Sequence, residues 1–159
     1  MPTQTSADLT LTLTRTLKAS PRDVFAAWTD PARLPLWMAS SPNGATAEID
    51  ARVGGHYRIE NQGKDGELHV TTGTYRELVP GRRLVKTWIY QGPLKQFEGF
   101  ETLLTVDLKE LTPDLTELTL THEHLPSTAY RDAVTGGWTA LLPKLEALLA
   151  ESPAAQNHH

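Results

Sequence analysis

The segment LTLTLTRTLKASPRDVFAAWTDP, residues 9–31, joins a strand pattern directly to the signals that begin two short helices. In its first nine residues threonine alternates with leucine, which predicts a β-strand with one buried face. Ser20-Pro21 follows as a helix start, because a serine hydroxyl caps free backbone amides and proline suits the first helical position. Asp30-Pro31 repeats this signal, so we expect a second short helix directly after the first.

The rest of the chain has the pattern of a sheet followed by one long helix. Between Ala45 and Leu125, apolar runs are separated by turn residues such as Gly54-Gly55 and Pro80-Gly81, which predicts an antiparallel meander of about six strands. A helical period then continues to about Ala150. Its apolar stripe comprises Val134, Trp138, Leu141, Leu145 and Leu148.

These elements predict an α+β fold in which a curved antiparallel sheet wraps around the long C-terminal helix, with two short helices after the first strand. A single helix is about 10 Å wide, so it cannot fill the concave face of a broad sheet. We therefore expect a cavity between the sheet and the C-terminal helix, and we expect the functional site to lie there.

Composition is typical of a globular chain. The 159 residues are 39% hydrophobic and 21% charged, so they can bury a core without disulfides or structural metals. We expect one domain over residues 1–159, with its core in 8–150 and a disordered tail over 151–159. The tail ends in His158-His159, as the remnant of a purification tag would.

Charge and residue types disfavour several classes of function. A net charge of −4 gives no electrostatic reason to bind nucleic acid or an anionic membrane. The lack of cysteine excludes thiol nucleophiles and Cys-ligated metals. No apolar run approaches the roughly 20 residues that span a bilayer, and the N-terminal residues lack a signal-peptide pattern. We expect a cytoplasmic protein with no nucleic-acid or membrane partner, and a homodimer is compatible with the frequency of two-fold assemblies.

Strand parity predicts which side chains face the cavity. Apolar residues fix the inner face of each strand, and the helical stripe faces the sheet. The predicted set is either closely packed core or the lining of a ligand cavity. It comprises Trp37, Met38, Tyr57, Ile59, Lys86, Trp88, Tyr90, Phe100, Leu104, Leu120, His122, His124, Trp138, Leu141 and Leu142.

Two histidines and one glutamate are the candidates for acid–base chemistry. His122 and His124 share the predicted inner face of the last strand, and Glu98 shares the inner face of the strand before it. A general base at either histidine, Glu98 as the acid and Tyr57 or Tyr90 as a donor would make a cavity enzyme. A hydrogen-bonding histidine pair is the alternative. Two histidines are too few for a metal site, and no nucleotide or phosphate motif is present, so we assign no metal and no cofactor.

Lys86 is an isolated cation on an otherwise apolar strand face. A buried ammonium is costly, which leaves three interpretations. It pairs with an acid such as Glu98, it reaches solvent along its packed stem, or it contacts an anionic ligand. An inward Lys86 without an acidic partner would favour a carboxylate or phosphate ligand.

A series of short motifs, in order, resembles the SRPBCC superfamily. Within it, the series is most similar to homologues of the activator of heat-shock-chaperone ATPase, the Aha-type domains, over about residues 8–150. The motifs are TRT (14–16), ASP (19–21), VFAAWTDP (24–31), WM (37–38), GGHYR (54–58), GTY (73–75), VPGRRLV (79–85), TW (87–88), TLTHE (119–123) and GW (137–138).

The resemblance implies the helix-grip fold shared with START lipid-transfer domains, birch-type pollen allergens and polyketide cyclases. It also implies binding of a hydrophobic or amphipathic small molecule. Lys86 stands where an apolar residue is usual, and Trp37-Met38 replaces a tandem aromatic, so a more polar cavity is expected.

Three functional hypotheses follow: a small-molecule binding protein, a cavity enzyme of the cyclase or hydrolase type, and a protein-interaction module. The eukaryotic chaperone activator resembles this sequence only in its C-terminal domain. It engages the chaperone with an additional N-terminal domain, so we do not expect a chaperone partner.

Overall fold

The computed structural model describes residues 9–151 and has the predicted α+β helix-grip architecture. Its strands form a seven-stranded antiparallel sheet in the order β1-β7-β6-β5-β4-β3-β2. The strands are β1 (Leu9–Leu17), β2 (Ala45–Ile49), β3 (His56–Gln62), β4 (Leu68–Val79), β5 (Arg83–Gln91), β6 (Glu101–Thr112) and β7 (Leu115–Leu125). The helices are α1 (Pro21–Thr29), α2 (Leu34–Met38), α3 (Thr128–Glu151) and the short 3-10 helix Lys95–Phe97.

The first helix begins where its cap signal predicts. The Ser20 side chain accepts a hydrogen bond from the Asp23 amide at 3.1 Å, and Pro21 occupies the first turn. The second helix begins later than predicted. Asp30 ends α1, and its carboxylate accepts from the Ala32 amide at 2.8 Å, so the chain makes a turn before α2 starts at Leu34.

Helix α3 covers only one part of the concave sheet face. It packs mainly against α2, β1 and β7, and its buried side chains are Tyr130, Trp138, Leu142, Leu145 and Leu149. It continues through Pro143, whose side chain is exposed. Because α3 lies toward the β1–β7 edge, the inner faces of β3, β4 and β5 are left partly uncovered.

The end of the chain differs from expectation at one residue. The sequence predicts Glu151 in the disordered tail, whereas in the structure it is the last residue of α3. Residues 152–159 lie outside the described part of the chain. Within residues 9–151, no helix is both long enough and apolar enough to cross a membrane.

Candidate functional site

A cavity of about 580 Å³ lies between the concave sheet, α3 and the connection from β5 to β6. Its walls come from the end of α2, from β3, β4 and β5, and from the first two thirds of α3. Six of the residues predicted to face inward line it. They are Met38, Ile59, Trp88, Tyr90, Trp138 and Leu141.

Five other members of the predicted set belong to the packed core and not to the cavity wall. Trp37, Leu104, Leu120 and Leu142 are fully buried, and the Trp37 indole donates to the carbonyl of Ala27 at 3.0 Å. Tyr57 is also buried, and its hydroxyl donates to the Thr87 carbonyl at 2.5 Å. Parity thus placed these side chains on the inner face, but facing inward did not make them part of the cavity.

The sequence prediction that Phe100 and Glu98 lie on the inner face of β6 is wrong. Strand β6 begins only at Glu101, and Gly99 has a φ of 87°, so the strand parity does not extend back to these residues. Phe100 is 43% exposed and lies edge-on to Tyr130, outside the cavity wall. The Glu98 carboxylate lies 3.3 Å from the Lys95 ammonium, so a pair of Glu98 with Lys86, one of the three interpretations of that lysine, is wrong.

The prediction that His124 faces inward is also wrong. It has a φ of 64°, and the pairing of β7 with β1 shifts register between Leu9 and Leu11, next to this residue. The irregularity turns the His124 side chain outward, where it is exposed, and Leu125 takes the inner position. His122 and His124 therefore do not share a face, and the prediction that both lie on the inner face is wrong.

His122 is a fully partnered core residue. The Thr102 hydroxyl donates to the Trp88 carbonyl at 2.8 Å and so accepts from the His122 Nε2–H at 2.8 Å. The other nitrogen, Nδ1, accepts from the Trp138 indole at 3.2 Å. Burial, with a smaller contribution from the charge of Lys86, lowers the pKa of His122 to about 3. This neutral imidazole ties α3 to β6 and β7 and holds Trp138 in the cavity wall.

Among the lysines and arginines of residues 9–151, Lys86 is the one whose side chain is fully buried. Its ammonium lies 4.2 Å from the centre of the Tyr57 ring and 5.8 Å from the rings of Trp28, Tyr75 and Trp88. It neither pairs with Glu98 nor reaches solvent, so two of the three interpretations are wrong. Burial lowers the pKa of Lys86 to about 7.

The sequence prediction missed a polar group on the cavity wall. The Tyr90 hydroxyl lies 2.7 Å from His69 Nδ1 and accepts from the Leu94 amide at 3.2 Å. Glu67 lies 3.6 Å from His69 Nε2, which favours a proton on that nitrogen and leaves Nδ1 to accept from Tyr90. The middle of β4 is Thr71-Thr72-Gly73-Thr74, so the strand has no apolar alternation with which to place His69.

Two further polar residues of the wall hold the segment after α2. The Asn61 amide donates to the Met38 carbonyl at 2.7 Å, and its oxygen accepts from the Ser40 amide at 2.8 Å. Lys144 of α3 donates to the carbonyl of Ala39. These bonds link β3 and α3 across one side of the cavity.

The histidine and acidic side chains of residues 9–151 do not form a metal centre. Among residues 9–151, no three histidine or acidic side chains cluster closely enough to hold a metal ion. The chemistry available at the cavity is therefore apolar contact from the aromatic and aliphatic walls, with hydrogen bonding from His69, Tyr90 and Asn61.

Comparison with known proteins identifies the family of this chain. Residues 18–150 match the family model described as Activator of Hsp90 ATPase homolog 1-like protein. No curated protein matches the sequence.

Solved structures share the fold. A protein from Chromobacterium violaceum is 32% identical with a TM-score of 0.75, over 88% of this chain and 96% of that one. A putative uncharacterized protein from Rhizobium leguminosarum is 27% identical with a TM-score of 0.77, over 91% and 96%. An HSP90 activator from Plasmodium falciparum, at 22% identity and a TM-score of 0.72 over 89% and 96%, is similar in fold. The chain therefore belongs to the Activator of Hsp90 ATPase homolog 1-like family, as the resemblance of its motifs predicted.

Proposed function

We propose that this protein binds a small hydrophobic or amphipathic molecule in the cavity between the sheet and α3. The observation that carries the proposal is the cavity itself, whose volume of about 580 Å³ lies in the range that holds metabolite-sized ligands. Apolar side chains such as Trp88, Trp138 and Leu141 form most of its wall. An apolar ligand part would gain free energy by leaving water for this surface.

The wall is held in place before any ligand arrives, which supports binding without a large ordering cost. The hydrogen bond from Trp138 to His122 fixes one wall, and Asn61 fixes the opposite rim through Met38. Ring contacts extend this order, since Trp88 and Trp138 lie 5.2 Å apart. A preformed site loses less conformational entropy on binding than a mobile one.

Two adjacent glycines of α3 provide a matched test. Gly137 lines the cavity and Gly136 does not, and a Cβ added at either residue meets no atom within 4 Å. We expect Gly137→Phe to fill the cavity and to weaken binding of the neutral fluorophore N-phenyl-1-naphthylamine by at least about tenfold. Gly136→Phe changes the helix equally but should bind as the wild type does.

Fluorescence enhancement of N-phenyl-1-naphthylamine measures this affinity directly, and circular dichroism checks that both variants are folded. Equal affinity in the two variants would place binding outside the cavity and contradict the proposal. Absence of binding to the wild type, for this fluorophore and for a panel of apolar alcohols and acids, would also contradict it.

A further inference from the structure

Three buried side-chain polar atoms of the described chain have no hydrogen-bond partner: Lys86 Nζ, the Tyr75 hydroxyl and Trp28 Nε1. They belong to one cluster, because the rings of Tyr75 and Trp28 each lie 5.8 Å from the Lys86 ammonium. Buried polar groups are nearly always partnered in native proteins, so an unpartnered ammonium beside two further unpartnered side chains calls for a physical explanation.

The chemistry of the cluster specifies what would satisfy it. Lys86 and Trp28 only donate hydrogen bonds, and the Tyr75 hydroxyl has a proton to donate. Such a set requires an acceptor, and a carboxylate supplies two oxygens and a negative charge. No acidic side chain of residues 9–151 makes an ion pair with Lys86, and the aromatic ring faces around its ammonium offset only part of its charge.

The cluster lies next to the cavity. Lys86 shares the inner face of β5 with Trp88 and Tyr90, which both line the cavity. Its ammonium is 5.8 Å from the ring of Trp88 and 4.2 Å from that of Tyr57, which precedes the lining residue Ile59 on β3. Lys86 itself is not part of the cavity wall, and the Trp88 ring is next to both the ammonium and the cavity.

We propose that Lys86 binds the carboxylate of an amphipathic acid whose apolar part occupies the cavity, with Tyr75 and Trp28 as additional donors. This inference rests on the proposed ligand-binding function and names the chemical class of the ligand. For the carboxylate to reach the ammonium, the Trp88 side chain must leave its ring contacts with Trp138 and His122, so this part of the wall is not preformed for an acid.

The test compares an acid with its alcohol. Decanoate and 1-decanol are each used to displace N-phenyl-1-naphthylamine from the wild type, Lys86→Met and Lys109→Met. Lys109 is the matched control, because it is an exposed lysine of β6 that does not line the cavity. We expect Lys86→Met to weaken decanoate binding by at least about tenfold relative to 1-decanol, and Lys109→Met to leave that ratio unchanged.

The pH profile of the wild type gives a second readout that needs no variant. Burial lowers the pKa of Lys86 to about 7, so above that pH the Lys86 side chain of the free protein loses its proton and its positive charge. The affinity for decanoate should then fall with rising pH, by up to about tenfold per pH unit between about pH 7 and about pH 9, while that for 1-decanol stays constant.

The titratable groups around Lys86 do not account for such a profile. Burial raises the pKa of Tyr57 on β3, of Tyr75 on β4 and of Tyr130 on α3, and the pKa of His122 on β7 is lowered to about 3. These groups stay neutral between about pH 7 and about pH 9. His69 and Lys144 face the cavity, and a contribution from either would persist in Lys86→Met, whereas a profile that depends on Lys86 disappears.

The outcomes separate this inference from the proposed function. An unchanged acid-to-alcohol ratio in Lys86→Met, or an equal loss in both lysine variants, would overturn the role of Lys86 and leave cavity binding intact. A flat pH profile for decanoate in the wild type would overturn it as well. Failure of all three molecules to bind the wild type would overturn both proposals.

Discussion

Two buried polar side chains in one row of the sheet behave in opposite ways. Lys86 on β5 pairs with Leu104 on β6, and Leu104 pairs with His122 on β7. Both polar residues are completely buried on the inner face. His122 has a partner on each ring nitrogen, whereas the Lys86 ammonium has none among the described residues.

This difference separates structural burial from a candidate binding site. Burial of a polar group is tolerated when hydrogen bonds replace those lost to water, and His122 meets that condition within the fold. The Lys86 ammonium has only aromatic ring faces around it and no hydrogen-bond partner, so part of its desolvation cost is not offset. A cost of this kind is expected where a ligand supplies the missing partner.

The largest expected effect comes from breaking the His122 network. We expect His122→Leu to lower the free energy of unfolding by about 3 kcal/mol, because the Trp138 indole is left buried without an acceptor and Thr102 loses a donor. Urea unfolding measures this change. The control is His56→Gln at an exposed histidine of β3, and its effect should stay within about 0.5 kcal/mol. Equal effects at both residues would contradict the assigned role of His122.

Replacing Lys86 should change the free energy of unfolding in the opposite direction. We expect Lys86→Met to raise the free energy of unfolding by about 2 kcal/mol at pH 7, because it removes an unpartnered buried cation. The pKa of Lys86 falls from its usual 10.5 to about 7 on folding, so the unfolded state binds more protons between these values. The wild type should therefore gain stability as pH rises through this window.

Urea unfolding at several pH values checks this prediction. In Lys86→Met the gain between about pH 7 and about pH 10 should be smaller than in the wild type by about 3 kcal/mol, which is what the fall of the Lys86 pKa implies over this range. A Lys86→Met protein less stable than the wild type at pH 7 would show that the ammonium already has a strong partner.

The smallest expected effect is the difference in stability between phenylalanine variants of two tyrosines beside Lys86. Tyr57 donates to the Thr87 carbonyl at 2.5 Å, whereas the Tyr75 hydroxyl is buried and unpartnered. We expect Tyr57→Phe to lower the free energy of unfolding by about 1 kcal/mol and Tyr75→Phe to leave it unchanged or slightly raised. Thermal and urea unfolding of the two variants side by side measure the difference, and a reversed order would contradict the hydrogen-bond assignment.

Much of the fold followed from local signals in the sequence. Leucine–threonine alternation predicted β1, the Ser20 cap predicted α1, and turn residues separated the six later strands. Strand parity also predicted that Lys86, Trp88 and His122 face inward, because apolar neighbours fix the face of a regular strand.

Parity failed where the strands cease to be regular. Gly99 interrupts the backbone before β6, so Phe100 and Glu98 lie outside the cavity, and the irregularity at His124 turns that side chain outward. His69 was missed because its strand lacks apolar alternation. Which inward residues line the cavity depends on where α3 packs across the sheet, and that placement is a tertiary property.

The most direct test of the role of Lys86 is an NMR titration of its side-chain ε-methylene group, from about pH 5 to about pH 11, in the free protein and with saturating decanoate. The Lys86→Met spectrum assigns the signal. We expect a midpoint near pH 7 in the free protein and a midpoint raised by at least about one pH unit when decanoate is bound, because a carboxylate partner stabilises the ammonium. A midpoint near the usual 10.5 in the free protein, or one that decanoate does not move, would contradict the account.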